Sequence, residues 1–358
     1  MRHLNVVVVL HFNQKIYKKI VIYIYIMIDY KEKYLKYKKK YVEAKYGGGV
    51  ENEEVNTNKY VASWNLSWAI QENVAPSFAS EEDYARKCKK KYNSIKHCYK
   101  NSLKILKEMN NKYPLHLIGF QEVSDIDLYE KINKNIPHLD SHIRHILWKA
   151  NIKKNVAILT CWNSETFGNV IQEMVFSLAP TLEDSRPCSV ILTDKDYLLI
   201  NVHFPWIKSR EDIENVEKKI EETVPSDWWK NKKHIFLGDT NDAQAFINKD
   251  NPLIIKYGEI EYKLHNGMKR DYLLKNFRTC CWHEKGHKWR NDNKNGKQIL
   301  TPGDYILSSD PKLFKKHRVY NSIKTLPKKT RELLRYSTDH YMVFSELNNI
   351  YGNEEDKK

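Results

Sequence analysis

The stretch HIFLGDTN, His234 to Asn241, is an apolar run that stops on a glycine, a carboxylate and an amide. Ile235-Phe236-Leu237 fits a short buried strand, and the Gly-Asp-Thr-Asn after it is turn chemistry that leaves an acid at the strand's end. The same grammar recurs outward along the chain. Asn65 follows Val61-Ala62-Ser63-Trp64, and Glu122 follows Leu117-Ile118-Gly119-Phe120-Gln121. His203 closes Leu199-Ile200-Asn201-Val202, Asp304 opens Tyr305-Ile306-Leu307, and Asp339-His340 precedes Tyr341-Met342-Val343-Phe344. Singly, each has an ordinary explanation: Asp or Asn in a turn, His in a core, Glu at the surface. Six such places in series predict convergence on one edge of a sheet, where sites are usually built.

The strand-like runs are Tyr60–Leu66, Leu115–Phe120, Val156–Cys161, Ser189–Thr193, Tyr197–Phe204, His234–Leu237, Asp304–Ser308 and Tyr341–Leu347. Helical periodicity covers Glu81–Met109, with Ile95, Tyr99, Ser102, Leu103, Leu106 and Met109 on one face, and Arg210–Val224, with Ile213, Val216 and Ile220. Many short strands with interspersed helices predict α/β or α+β with extensive sheet. Polar stretches at Trp289–Lys297 and Pro327–Arg335 read as exposed loops.

The chain has 358 residues, 41% hydrophobic and 29% charged, and its 60 Lys/Arg against 45 Asp/Glu leave a net charge of +15. That is enough apolar content for a sizeable core, and it excludes a collagen, a disulfide-stapled miniprotein and a mostly disordered chain. Mean hydropathy is -0.68, and no apolar run reaches the ~20 residues of a spanning helix, which excludes a polytopic membrane protein. The six cysteines show no framework and read as reduced thiols. Cys280-Cys281 with His283 and His287 matches no zinc spacing.

The basic charge is concentrated at the amino end. Residues 1–50 hold eleven Lys/Arg against three acids, a net +8 that leaves only +7 for the rest. Their two apolar patches, Val6–Phe12 and Ile20–Ile28, are split by polar residues and have no cleavage site, so no signal peptide is predicted. Met27 offers an alternative start that would leave residues 1–26 untranslated. Beyond it, Tyr30, Tyr34, Tyr37 and Tyr41 share one helix face, and Gly47-Gly48-Gly49 closes the segment. Such a helix suits a phosphate backbone, a membrane surface or a partner helix, or is simply a solvated leader. The expected organisation is a leader over residues 1–50, a domain over 51–350 and a charged tail over 351–358.

The strand-end residues are chemically coherent. Glu122, with Asn65 and Asp339, makes an all-oxygen set suited to Mg²⁺ or Mn²⁺. Asp239 can take a proton from water, and Asn241 can orient that water or a phosphate. His340 paired with Asp304 would be held in one tautomer beside a phosphoryl oxygen, and His203 would share that load or protonate a leaving group. Trp206 follows His203 closely and Trp68 follows Asn65, so both are candidates for stacking a base. A metal and an in-line water are the elements of phosphoester hydrolysis.

SWN (Ser63–Asn65), QEV (Gln121–Val123), NVHF (Asn201–Phe204), GDTN (Gly238–Asn241), GDYI (Gly303–Ile306) and TDH (Thr338–His340) together resemble the ordered motifs of the endonuclease/exonuclease/phosphatase superfamily, which has the deoxyribonuclease I-like fold. The resemblance covers about residues 58–348. It implies an α/β, four-layer sandwich of two mixed β-sheets flanked by helices. It also implies Glu122 as main metal ligand, Asp239 as base or nucleophile-orienting residue, Asn65, Asn241 and His203 on phosphate, and Asp304–His340 as a supporting dyad. His203 stands where apurinic endonucleases carry tyrosine, and Pro302-Gly303-Asp304-Tyr305 lacks the features of inositol-polyphosphate phosphatases. GDTN is similar to the motif of tyrosyl-DNA phosphodiesterases, which points to DNA repair, and the His203 pattern suits deadenylase-like members. A Lys/Arg-rich stretch, Phe78–Tyr92, looks like an insertion that either rims the cleft or is a solvated helix face. The Lys/Tyr leader resembles those on many giant-virus proteins of the mimivirus type.

The expectation is a Mg²⁺-dependent phosphodiesterase acting on nucleic acid, DNA or RNA, or on a nucleic-acid adduct. No obligate protein partner or membrane is implied, and the setting is intracellular and non-secreted, a viral factory or virion if the chain is viral. Two alternatives stand: a phosphomonoesterase on a small molecule or phosphoinositide, and a catalytically silent binding or virion protein.

Overall fold

The structure, a computed structural model, describes residues 58–66, 95–123, 126–149, 154–179, 186–241, 247–269, 273, 303–319, 340 and 342–348. The leader, the Phe78–Tyr92 insertion, Trp68, Asp339, the Cys280–His287 cluster and the two polar loops lie outside them. By backbone proximity the chain divides into Met1–Asn56 and Thr57–Lys358, and every described residue belongs to the second unit.

Two sheets form the body. The first runs in the order β12 (Phe314–Val319), β13 (Val343–Leu347), β1 (Tyr60–Asn65), β2 (Leu115–Val123), β4 (Lys154–Trp162), β3 (Ser141–Lys149). The second runs β11 (Asp304–Leu307), β8 (Lys233–Asp239), β7 (Tyr197–His203), β6 (Pro187–Thr193), β5 (Val170–Ser177). A separate hairpin pairs β9 (Leu253–Tyr257) with β10 (Ile260–Leu264). Both sheets are mixed: β1 and β2 are parallel, β7 and β8 are parallel, and the remaining pairs are antiparallel. A parallel pair needs a crossover, and each crossover here holds a helix, α1 (Ile95–Lys112) in the first and, after α2 (Leu128–Asn135) and α3 (Ser164–Phe167), α4 (Arg210–Thr223) in the second.

Alternation in β1 explains the layering. Tyr60, Ala62 and Trp64 share one apolar cluster with Ile105, Leu106 and Met109 of α1 and Leu128 and Ile132 of α2. Val61 faces the other way, into a larger cluster with Leu117 of β2 and Leu199, Val202 and Leu237 of the second sheet, which Ile213, Val216 and Ile220 of α4 also join. The fold is thus an α/β sandwich of two mixed sheets with helices on their outer faces, as the motifs implied. Helix α4 starts where Ser209 and Asp212 form a reciprocal capping box. Its Glu217 accepts from Arg210 and from the Ile254 N–H at 2.7 Å, tying the hairpin's exposed edge to the helix.

The eight predicted strand runs all fall within or overlap observed strands. Strands β3, β5, β9, β10 and β12 and helix α2 were not anticipated. Strand β5 is mostly exposed, so it carries no buried alternation, and the His and Arg of SHIRHILWK mask β3. On α1, Ile105 is fully buried although it lies off the predicted face, and Leu103 is only partly buried.

Candidate active site

Register gathers the polar strand ends. In the second sheet His203 is the parallel neighbour of Asp239, and Asp239 is the antiparallel neighbour of Asp304, so three functional groups stand in one row. In the first sheet Asn65 lies level with Gln121, one residue before Glu122. Face-to-face packing brings the rows together, and Asn65 Nδ2 donates to Asp239 Oδ2 at 2.6 Å.

Two glycines and a bulge make this approach possible. A Cβ at Gly238 would lie 2.4 Å from the Val202 carbonyl oxygen, so only glycine lets β8 lie this close to β7 one residue before Asp239. A Cβ at Gly119 would press to 3.1 Å on the Asn201 carboxamide. The pairing of β2 with β4 shifts between Phe120 and Val123, and Glu122 inside that bulge has φ 55°. Asn241 has φ 48°. Left-handed backbone at a non-glycine residue costs of order 1 kcal/mol, and both instances flank the acids of the site.

Asp239 is the focus. Its Oδ1 accepts the Asn241 N–H at 2.8 Å, while His203 Nε2 and His340 Nε2 stand 3.6 and 3.8 Å from Oδ2. The Glu122 carboxylate lies 3.5 Å from His203 Nε2. Burial, the largest influence, pushes the Asp239 carboxyl up to about 7; His340 and the Asn241 N–H pull it down, and Asp304 and Glu122 push it further up.

The two histidines are held differently. His340 Nδ1 lies 2.9 Å from Asp304 Oδ2, and an ionised carboxylate only accepts, so the Nδ1 proton is directed there and Nε2 is turned toward Asp239. Trp64 Nε1 donates to the His340 carbonyl at 3.3 Å, and Thr240 binds the Gly303 carbonyl at 2.7 Å through its N–H, which anchors the dyad from both sheets. His203 Nε2 lies 2.7 Å from Arg186 Nη1. A guanidinium only donates, so His203 Nε2 accepts and carries no proton. Asn241 Nδ2 donates to the Phe204 carbonyl at 2.5 Å and holds the loop after β7.

Thus Asn65, Glu122, His203, Asp239, Asn241, Asp304 and His340 converge, Trp206 stands at the margin, and Asp339 lies outside the described residues. Sequence reading missed Arg186 because it precedes the predicted run Ser189–Thr193. It also missed a buried polar bridge beneath the site. Gln121 Nε2 donates to Asn201 Oδ1 at 2.7 Å, and Asn201 Nδ2 reaches the Leu159 carbonyl and Thr160 Oγ1 at 3.2 and 3.1 Å. The available signal was an amide inside an otherwise apolar strand.

Glu122, His203 and Asp239 offer ligand atoms within 4.8 Å of one another, as do Asp239, Asp304 and His340. The donor set fits a divalent cation: carboxylates crowd one buried point, where Asp304 and Glu122 raise the proton affinity of Asp239, and a hard cation would relieve that crowding. Among the described residues no helix is long and apolar enough to cross a membrane.

No protein-family model matches the sequence, and no curated protein sequence matches it. Solved structures do. An endonuclease/exonuclease/phosphatase from Bacteroides vulgatus is 12% identical over 82% of this chain and 99% of its own, with a TM-score of 0.48. TDP2 of D. rerio, complexed with single strand DNA product, is 12% identical over 82% of this chain and 100% of its own, with a TM-score of 0.46. A mannosyl-6-phosphatase from Bacteroides thetaiotaomicron is 16% identical over 81% and 99%, with a TM-score of 0.40.

Proposed function

We propose that this protein is a divalent-metal-dependent phosphoester hydrolase that acts as a phosphodiesterase on nucleic acid or a nucleic-acid adduct. The observation that carries the reading is one buried carboxylate, Asp239, bound by Asn65 at 2.6 Å and faced by two histidines and Glu122. Glu122, with the Asn65 carboxamide, would supply oxygen donors to Mg²⁺ or Mn²⁺; the ion would supply Lewis acidity at a phosphoryl oxygen.

The chain's own groups divide the remaining work. Asp239, held by the Asn65 amide and the Asn241 N–H, accepts the proton of an attacking water. His340, oriented by Asp304, offers Nε2 beside the same carboxylate to charge developing on phosphoryl oxygen. Arg186 supplies a permanent positive charge next to His203, and Asn241 fixes the loop that closes this side. A phosphomonoesterase is the second reading, because a guanidinium can also bind the terminal oxygens of a monoester in bidentate fashion.

The test is turnover by the full chain with Mg²⁺, beside Asp239→Ala and beside EDTA. The substrates are single- and double-stranded DNA, RNA, a 5′-tyrosyl-DNA adduct, poly(A), a sugar phosphate and a phosphoinositide. Cleavage of a nucleic acid that is lost in the variant and in EDTA supports the proposal. Cleavage of the monoesters alone installs the second reading, and full activity in Asp239→Ala sinks both.

A further inference from the structure

A groove of about 630 Å³ opens beside the site, within the size range of small-ligand pockets. Two hydrogen bonds fix where it begins. Leu178, on one wall, donates its N–H to the carbonyl of Arg186 at 2.7 Å, and Arg186 is the residue that holds His203. Pro205, on another wall, has its carbonyl 3.5 Å from the Asn241 amide. Two of its lining residues are thus bonded to Arg186 and Asn241, which close one side of the acid cluster.

Its lining is aromatic and basic. Trp206 is 40% exposed, unlike Trp64, Trp162 and Trp229, which are fully buried. The floor is one stripe of α4, including Asp212, Asn215, Val216 and Lys219, with Lys208 at the helix entrance. The carboxylate of Asp212 is occupied by the N–H groups of Lys208 and Ser209, and Lys218 is paired with Glu222 at 3.8 Å. The Lys208 ammonium also helps to hold the Asp212 carboxyl down, and Lys219 stands on the same stripe of the helix, so the groove presents cations next to an indole.

We infer that this groove seats the nucleotide adjacent to the scissile phosphate of a single strand, with its base stacked on Trp206 and its outer phosphates on Lys208 and Lys219. This rests on the nucleic-acid reading above. Flat base faces stack on an exposed indole whatever the sequence, and ammonium groups track the backbone.

The test separates the two claims. Binding of fluorescein-labelled dT12, and of an abasic strand of equal length, is measured by anisotropy in EDTA for the full chain, Trp206→Ala, Trp206→Phe and Lys208→Glu/Lys219→Glu; cleavage of dT12 is followed separately with Mg²⁺. Trp206→Ala weakens dT12 binding about tenfold, and Trp206→Phe restores most of it. The abasic strand binds the wild type weakly and does not respond to Trp206→Ala. The double lysine variant flattens the log–log salt slope by about 1.4, the value for two single-strand phosphates. If dT12 is cleaved and Trp206→Ala binds it as the wild type does, the groove assignment falls and the enzyme reading stands. If the wild type neither binds nor cleaves the strand, both fall.

Discussion

Gln121 and Asn201 join the two sheets directly beneath the acid cluster, the amide nitrogen of one donating to the carbonyl oxygen of the other at 2.7 Å in a fully buried setting. Gln121 immediately precedes Glu122 in the bulge of β2, and Asn201 lies two residues before His203 on the same face of β7. The bridge therefore sets how far apart Glu122 and His203 stand, although neither amide touches them. Inside a low-dielectric core such a bridge is worth having only when every group is satisfied, and Asn201 meets that condition with bonds to Leu159 and Thr160.

Asn201→Leu keeps the volume and removes the bridge. Gln121 is left with Ser63 as its only side-chain partner among the described residues and the Leu159 carbonyl loses the Asn201 donor in a dry interior, and the loss of stability is about 3 kcal/mol. Urea unfolding should show a lower midpoint at unchanged slope. Turnover per folded molecule should fall as well, through the displaced Glu122. A variant as stable as wild type would show that the bridge is not needed.

Gly238→Ala forces a methyl to 2.4 Å from both Cγ2 and the carbonyl oxygen of Val202. Parallel pairing must yield next to Asp239, at a cost of about 1–3 kcal/mol. Because the carbonyl is part of the backbone, adding Val202→Gly should not rescue the variant. Thermal melts and turnover of the single and double variants decide this; recovery in the double variant would place the conflict in the side chain alone.

Arg186→Ala leaves His203 Nε2 without the donor that holds it as an acceptor. Misplacement of a positioned group typically costs about 10²-fold, which is the fall expected in kcat/KM. Arg186→Lys should restore only part, since a point charge does not reproduce the planar fork. Wild-type kinetics in Arg186→Lys would show that charge alone is required.

Stability should depend on pH through His234. This residue is buried between the Trp229 carbonyl, 3.0 Å from Nε2, and the Ser309 hydroxyl, and burial lowers it to about 4. The unfolded chain binds the proton near the ordinary 6.5, so the stabilisation is complete above about 6.5 and is lost as pH falls toward 4. The span corresponds to about 3 kcal/mol. Urea unfolding at pH 7.5, 5.5 and 4.5 should show a decline in wild type that is smaller in His234→Gln. Equal declines in both would assign the effect to other groups.

The strand ends that carry chemistry were legible because an apolar run halted by a polar residue is a local pattern. HIFLGDTN says by itself that an acid ends a buried strand, and Ile213, Val216 and Ile220 say by themselves which face of α4 is covered. The edge strands β3 and β5 were not legible, since β5 has no fully buried face to impose alternation and the His and Arg residues of β3 mask its pattern.

What only the tertiary structure decided is which groups meet and in which protonation state. Asn65 and Asp239 are 174 residues apart, and nothing local to either specifies the 2.6 Å contact; it follows from two sheets packing face to face. Arg186 lies in no strand-end motif, yet it sets the role of His203, because a donor within 2.7 Å requires an acceptor. Sequence by itself determined the inventory of acids, amides and imidazoles and their place at strand ends, since backbone pattern and turn chemistry are local. Their distances, their burial and the tautomer of each histidine came from packing between sheets, which no local pattern contains.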